Sequence, residues 1–304
     1  MTQTSPPPTT DDTAGFDVKK RRRGPIIAGV VIVVVAVIAG LVAWRFLGSD
    51  STSPNEKAGA TLTVVTAEGN ANEQALVDYI AKNVAPKYGI KVAFKGLADS
   101  TTLNRAVSDG EVAGTIYQHK RWLSQVLDAN PDFKEVAATP VFRWGFGIWS
   151  DKYTDVSQLP NGAKVSLYSD PANEAQGLWL LERAGLITLK PGIDKSRATQ
   201  NDIATNPKNI QFTLLDFAAQ SRALPDLDAT VGYTEYYLAA GVPLSKQIFA
   251  PAAPDEFAGQ LTIGTRWQNT DNIKKLVAVF KDPAVQEYLR TDPQVKNILL
   301  PLQS

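Results

Sequence analysis

"TLTVVTAEGNANEQALVDYIAKNVAPKYGIKVAF", residues 61–94, decides the fold class. The β-branched run "TLTVVT" (61–66) reads as a strand, and "EGNANE" as a Gly/Asn turn that ends in a helix cap. Ala75, Leu76, Tyr79, Ile80 and Val84 then fall on one face, which predicts a helix ending at Gly89. "IKVAF" (90–94) is a second strand. The rhythm continues outward. "DSTTLNRAVSDG" (99–110) predicts a capped helix closed by Gly110, and "EVAGTIY" (111–117) a third strand. Strands are expected again at 163–168, 210–215 and 229–233, with a helix from Asn173 to Ala184. Such alternation predicts an α/β protein with a mostly parallel sheet and helices on its faces. The span after Thr61 is long enough for two such units. "VFRWGFGIW" (141–149) is expected to cross between them, and the helices after Asp271 to pack back on the first.

The chain has 304 residues, zero formal net charge, one histidine and no cysteine. A neutral balance offers no field for nucleic acid, which is not expected as a partner. Without cysteine there are no disulfides, thiol nucleophiles, thiolate metal sites or lipid-modified cysteines. The single methionine is Met1. Gly24 to Trp44 carries no charge and follows the basic run Lys19–Arg23. An apolar helix of about 20 residues crosses a hydrocarbon core. The expectation is therefore a cytoplasmic tail over 1–23, a single-pass transmembrane anchor over 24–47 and a polar linker over 48–60. The basic flank would keep the N-terminus in the cytoplasm and place the body outside, at the cell membrane. A cleaved signal peptide is the alternative, though its apolar region is usually only about 7–15 residues.

Enzyme chemistry has little material to work with. No G-x-S-x-G elbow, H-E-x-x-H helix, phosphate-binding loop or G-x-G-x-x-G turn is present, and no carboxylates surround the histidine as a zinc site would require. No catalytic residue, metal or cofactor is expected. A binding pocket fits better, because loops at strand ends are the favoured ligand positions of open α/β sheets. Those loops carry "EGNANE", "YQHKRW", "SDPANEAQG" and "GYTEYY", rich in groups that stack and hydrogen-bond. Tyr117 and Trp144 are expected pocket walls, while Trp149 and Trp179 fit a core equally well. His119 is read as a hydrogen-bonding binder, with a surface or supporting role as its alternative.

"LNRAVSDGEVAGTIYQHKRWL" (103–123), "SDPANEAQGLWLLERAGLI" (169–187) and "NPKNIQFTLLDFAAQSRAL" (206–224) together resemble the NlpA/MetQ-type methionine-binding lipoprotein family, the solute-binding proteins of ABC importers. The resemblance runs from about Leu62 to Leu289. It implies a two-lobed, hinged periplasmic-binding-protein-like fold (type II-like), with lobe 1 formed by 61–142 plus 250–304 and lobe 2 by 143–249. It also implies a small-molecule ligand between the lobes, methionine or a related amino acid, and partnership with a permease and its ATPase. By the same resemblance Tyr117, His119, Trp144, Asn173, Gln176 and Tyr233 line the ligand site. Gln176 stands where the family has an arginine that clamps the ligand carboxylate, and Tyr233 where it has an asparagine. Losing a bidentate arginine weakens the grip on a free amino acid unless Arg143 or Lys120 replaces it. A transmembrane helix would stand in for the family's lipidated cysteine. An interaction or sensory module on the same fold, with altered or lost specificity, is the alternative function.

Overall fold

The computed structural model describes residues 53–302. The expected tail, the anchor over 24–47 and the first part of the linker lie outside the described residues. Among the described residues, no helix is long and apolar enough to cross a membrane.

The opening stretch forms strand β1 (Thr61–Ala67), helix α1 (Ala71–Tyr79) and strand β2 (Lys91–Leu97). The Asn70 side chain caps α1 by accepting from the Glu73 amide at 3.0 Å. The α-helical pattern stops ten residues before Gly89, the expected end. Pro86 has no N–H with which to continue the ladder, so the chain widens into a π turn over Ile80–Val84 and then tightens into a 3-10 turn over Ala85–Tyr88. Gly89 closes the segment at φ +68°. Helix α2 (Ser100–Ser108) begins at Asp99, whose carboxylate accepts from the Thr102 amide at 2.9 Å. Strand β3 (Gly114–His119), helix α3 (Lys120–Ala129) and strand β4 (Glu135–Trp144) follow.

After Gly145 the chain runs through β5 (Phe146–Trp149), β6 (Lys164–Tyr168), α4 (Pro171–Arg183), β7 (Thr188–Leu189), β8 (Ile203–Thr205) and β9 (Gln211–Leu215). It continues through α5 (Phe217–Arg222), β10 (Thr230–Tyr233), α6 (Thr234–Ala239) and β11 (Gln247–Phe249). It returns as β12 (Gly259–Gly264), α7 (Asp271–Phe280), α8 (Pro283–Thr291) and β13 (Leu299–Leu300).

One sheet has six strands in the order β13-β4-β12-β3-β1-β2. The expectation of a mostly parallel sheet holds only for its β2-β1-β3 half. Strand β12 enters between β3 and β4 antiparallel to both, and β13 pairs antiparallel with β4. A strand delivered by the return of the chain, rather than by a right-handed crossover helix, is free to run the other way. Beyond Gly145, β5 lies antiparallel between β10 and β11, and β6 runs parallel to β9. Gly145 marks the passage between the two sets of strands. A Cβ there would sit 2.6 Å from Thr234 Oγ1 and 2.8 Å from the Asn297 carbonyl, so only glycine lets these segments approach.

Leu62, Val64, Leu76 and Ile80 on one side, and Val165, Leu167, Leu178 and Val231 on the other, belong to one continuous buried cluster. Helices α7 and α8 pack back on the six-stranded sheet's side. Tyr288 stacks on Tyr79 at 4.1 Å, and the Tyr88 hydroxyl donates to Asp282 at 3.0 Å.

Candidate functional site

A cavity of about 190 Å³ opens where β1 and β3 end and where α3, α4 and α6 begin. Parallel strands aim their helix-bound loops to one edge, so this placement follows from the topology. The turn after β1 contributes Ala67, Asn70 and Glu73. The β3–α3 junction contributes Tyr117, Gln118, His119 and Trp122. Trp144, Asn173, Phe217, Tyr233, Glu235 and Tyr236 complete the lining.

His119 ends β3 and caps α3. Its Nδ1 accepts from the Trp122 amide at 3.2 Å, which leaves the proton of the neutral ring on Nε2. Nε2 lies 3.4 Å from Asn173 Oδ1 and donates to it. Burial pushes the imidazole down to about 4, with Arg121 adding to the effect and the Asn173 contact opposing it. The ring is therefore neutral at physiological pH and acts as a fixed hydrogen-bonding group. Phe257 and Trp144 stand edge-on to it at 5.6 and 6.4 Å.

Asn173 sits in the first turn of α4. Asp170, the cap of that helix, accepts from the Asn173 backbone at 3.0 Å and from its Nδ2 at 2.9 and 3.0 Å. This orients Oδ1 toward His119 and toward the Tyr233 hydroxyl, which donates to it. Tyr233 Oη also lies 2.8 Å from Gln176 Oε1. A polar chain thus links the α3 cap, His119, Asn173, Tyr233 and Gln176 across the cavity edge. Burial pushes the Tyr233 phenol well above its ordinary value, so it stays protonated as a donor.

Of the six residues expected from the sequence, five border the cavity: Tyr117, His119, Trp144, Asn173 and Tyr233. Gln176 does not; it lies one helical turn deeper and touches the cavity only through Tyr233. Neither proposed replacement cation is present. Arg143 is buried, and its guanidinium donates to the Ala253 carbonyl at 2.6 Å, to the Pro301 carbonyl at 3.4 Å and to Asp255. Lys120 is exposed and absent from the lining. Trp149 is core, stacked on Tyr237 at 4.1 Å, and Trp179 packs near Phe257 away from the lining.

Sequence reasoning did not single out Asn70, Glu73, Gln118, Trp122, Phe217 or Tyr236, although all but Phe217 lie in the quoted strand-end loops. Glu73 belongs to the quoted "EGNANE" turn, and Phe217 follows the end of β9, so strand-end position was the available signal. Glu73 is almost wholly buried, and its Oε2 has no hydrogen-bond partner. Burial pushes its carboxyl up to about 8; the nearby Glu235 adds to this, and contacts with Trp144 and Thr66 oppose it. Burial also raises Glu235, against a hydrogen bond from Asn72.

The arrangement is suited to hydrogen bonding. The histidine is neutral and held by a backbone amide and an asparagine, with no serine beside it. Among the described residues, no group of three His, Asp or Glu side chains is arranged to hold a metal ion.

Known proteins resemble this chain over most of its length. Residues 62–300 match the family described as NlpA lipoprotein. Lipoprotein 28 of Escherichia coli K12 is 29% identical over 225 residues, 73% of this chain and 82% of that protein. A probable D-methionine-binding lipoprotein MetQ of Haemophilus influenzae is 33% identical over 181 residues, 60% of this chain and 66% of that protein. The solved structure of an ABC transporter periplasmic substrate-binding protein from Coxiella burnetii superimposes with a TM-score of 0.68 at 31% identity, covering 79% of this chain and all of that one. A nutrient-binding protein from Burkholderia cenocepacia, solved bound to methionine, gives 0.65 at 28% identity, covering 79% and 98%.

Proposed function

Because this chain belongs to the NlpA lipoprotein family, we propose that it is the solute-binding component of an ABC importer, capturing one small organic molecule in the cavity beside His119. The observation that carries the reading is the His119–Asn173–Tyr233 chain along one edge of a cavity walled by aromatic side chains. Its solved neighbours are binding proteins, and the volume suits a small metabolite. In this reading β4, Gly145 and β5 form one strand of the hinge between lobes 61–142 plus 250–304 and 143–249. His119 of the first lobe and Asn173 of the second already meet at 3.4 Å, as in a closed cleft, and would face the same ligand. The apolar segment from Gly24 to Trp44 would tether the binder at the outer face of the membrane, beside a permease and its ATPase.

The test is a titration of the purified full chain in mild detergent with amino acids, amines and short peptides, followed by tryptophan fluorescence. Trp122 and Trp144 line the cavity and report occupancy directly. Saturable one-to-one binding, together with ligand-stimulated ATP hydrolysis by a co-reconstituted permease, is the expected result. Silence across the panel would favour the interaction or sensory module instead.

A further inference from the structure

The charges around the cavity point to a class of ligand. Two carboxylates, Glu73 and Glu235, border it, and among the described residues no lysine or arginine does. Glu73 is 1% exposed, and its Oε2 finds no donor in the protein. A carboxylate withdrawn from water and left without a partner is costly, so such groups persist where something else completes them. Glu235 stands close enough to raise the Glu73 carboxyl further, and a single positive charge between the two would relieve both burdens.

The walls favour the same sign of charge. Phe217 stacks near Tyr233 at 6.2 Å and 10° between ring planes, and Tyr236 lies 5.8 Å from Phe217. Trp122 stands edge-on to Phe217 at 6.3 Å. Aromatic faces carry negative quadrupoles and attract an ammonium or guanidinium held over them. A ligand carboxylate meets the opposite situation. Arg143 is fully engaged by Ala253, Pro301 and Asp255, Lys120 is turned to solvent, and Arg121, though close enough to lower the His119 imidazole, is not in the lining. An anionic group would face two acids and ring faces, with only neutral donors such as His119 Nε2–H to receive it.

We infer that the cavity takes a small organic cation without a carboxylate, a protonated amine or amidine on an apolar body, whose N–H group donates to Glu73 Oε2 while its body lies among Trp122, Trp144, Phe217 and Tyr236. This rests on the solute-binding reading and sharpens it, since a zwitterionic amino acid is then a poor ligand and its counterpart lacking the carboxylate a good one.

Three probes that share one thioether side chain separate the possibilities: L-methionine, 3-(methylthio)propylamine and the neutral 3-(methylthio)propan-1-ol. Calorimetric titration of the full chain is expected to show the amine binding at least tenfold tighter than either of the others. Glu73→Gln should weaken the amine at least tenfold and leave the alcohol unchanged, and Glu235→Gln should weaken it less. Methionine binding as tightly as the amine would overturn the inference while leaving the solute-binding reading intact. So would an alcohol equal to the amine, because the carboxyls would then be serving a neutral solute. Amine affinity indifferent to both substitutions would also overturn it. If none of the three binds, and the wider panel of amino acids and amines is silent too, the inference falls together with the solute-binding reading.

Discussion

Arg143 and Glu73 are both buried ionisable side chains, yet the regions around them are built on opposite terms. At Arg143 the protein supplies its own partners. The guanidinium joins β4 to the segment before β12 and to the C-terminal strap, through two carbonyls and Asp255. At Glu73 the contacts from Trp144 and Thr66 leave Oε2 without a hydrogen-bond partner, and the residue borders the open cavity. The difference teaches how to tell a structural charge from a functional one. A satisfied buried charge stabilises the arrangement that satisfies it, whereas an unsatisfied one that faces space keeps its interaction for something that arrives.

The largest effect is expected from breaking the satisfied side. Arg143→Met orphans two carbonyls, while Asp255 returns to water, and should cost about 4 kcal/mol, read from the midpoint of urea unfolding. A loss near zero would mean that apolar packing of Val295 and Leu299 alone holds the strap.

The unsatisfied side should respond with the opposite sign. The Glu73 carboxyl rises from 4.5 to about 8 on folding, so the folded state keeps a proton that the unfolded chain releases. Stability from this group is fully present below pH 4.5 and is lost as pH rises toward about 8. Glu73→Gln should therefore raise unliganded stability at pH 7 by about 3 kcal/mol and flatten the slope over that window. Part of the slope should remain, because burial also pushes Glu135 up to about 8. A variant no more stable than the parent would show that Glu73 is compensated in a way its geometry does not reveal.

Smaller effects sharpen the picture of the polar chain. Tyr233→Phe removes one hydroxyl shared by Asn173 and Gln176 and should cost about 1 kcal/mol in unfolding stability. The smallest expected effect is a flat one. With His119 held down to about 4, ligand affinity should show no histidine step near pH 6.5. A clear step there would mean that the ring is wetter than its surroundings imply.

Much of this architecture was legible before any coordinates. Local periodicity located β1, β2, α2, β6, α4, β9 and β10 to within a few residues, because each has its apolar face and its cap written within its own ten or so residues. Strand β12 was not legible. Its partners are Gln118 and Pro140, more than a hundred residues earlier, and nothing in "GQLTIG" names them. The break was signalled by Pro86, but the apolar spacing runs on through Ile80 and Val84, beyond the end of α1 at Tyr79, and masks it. At the site, residues near strand ends were found by position and by resemblance. Gln176, expected at the site from the resemblance alone, meets Tyr233 rather than the cavity, a contact set by a strand more than fifty residues away.

By itself, the sequence determined the α/β rhythm, the caps that start its helices, the scarcity of catalytic and metal-binding groups, and the family. These properties depend on neighbours in the chain or on residue types simply being present. Only the tertiary structure decided that β12 runs against β3 and β4, that Arg143 is spent on the strap, and that Glu73 stands buried opposite Glu235 with an oxygen unpartnered. Burial and pairing of a charge depend on which distant segment folds over it. Glu235 of α6 approaches Glu73 from some 160 residues further on, in a chain whose local pattern at both ends says only that a strand gives way to a helix.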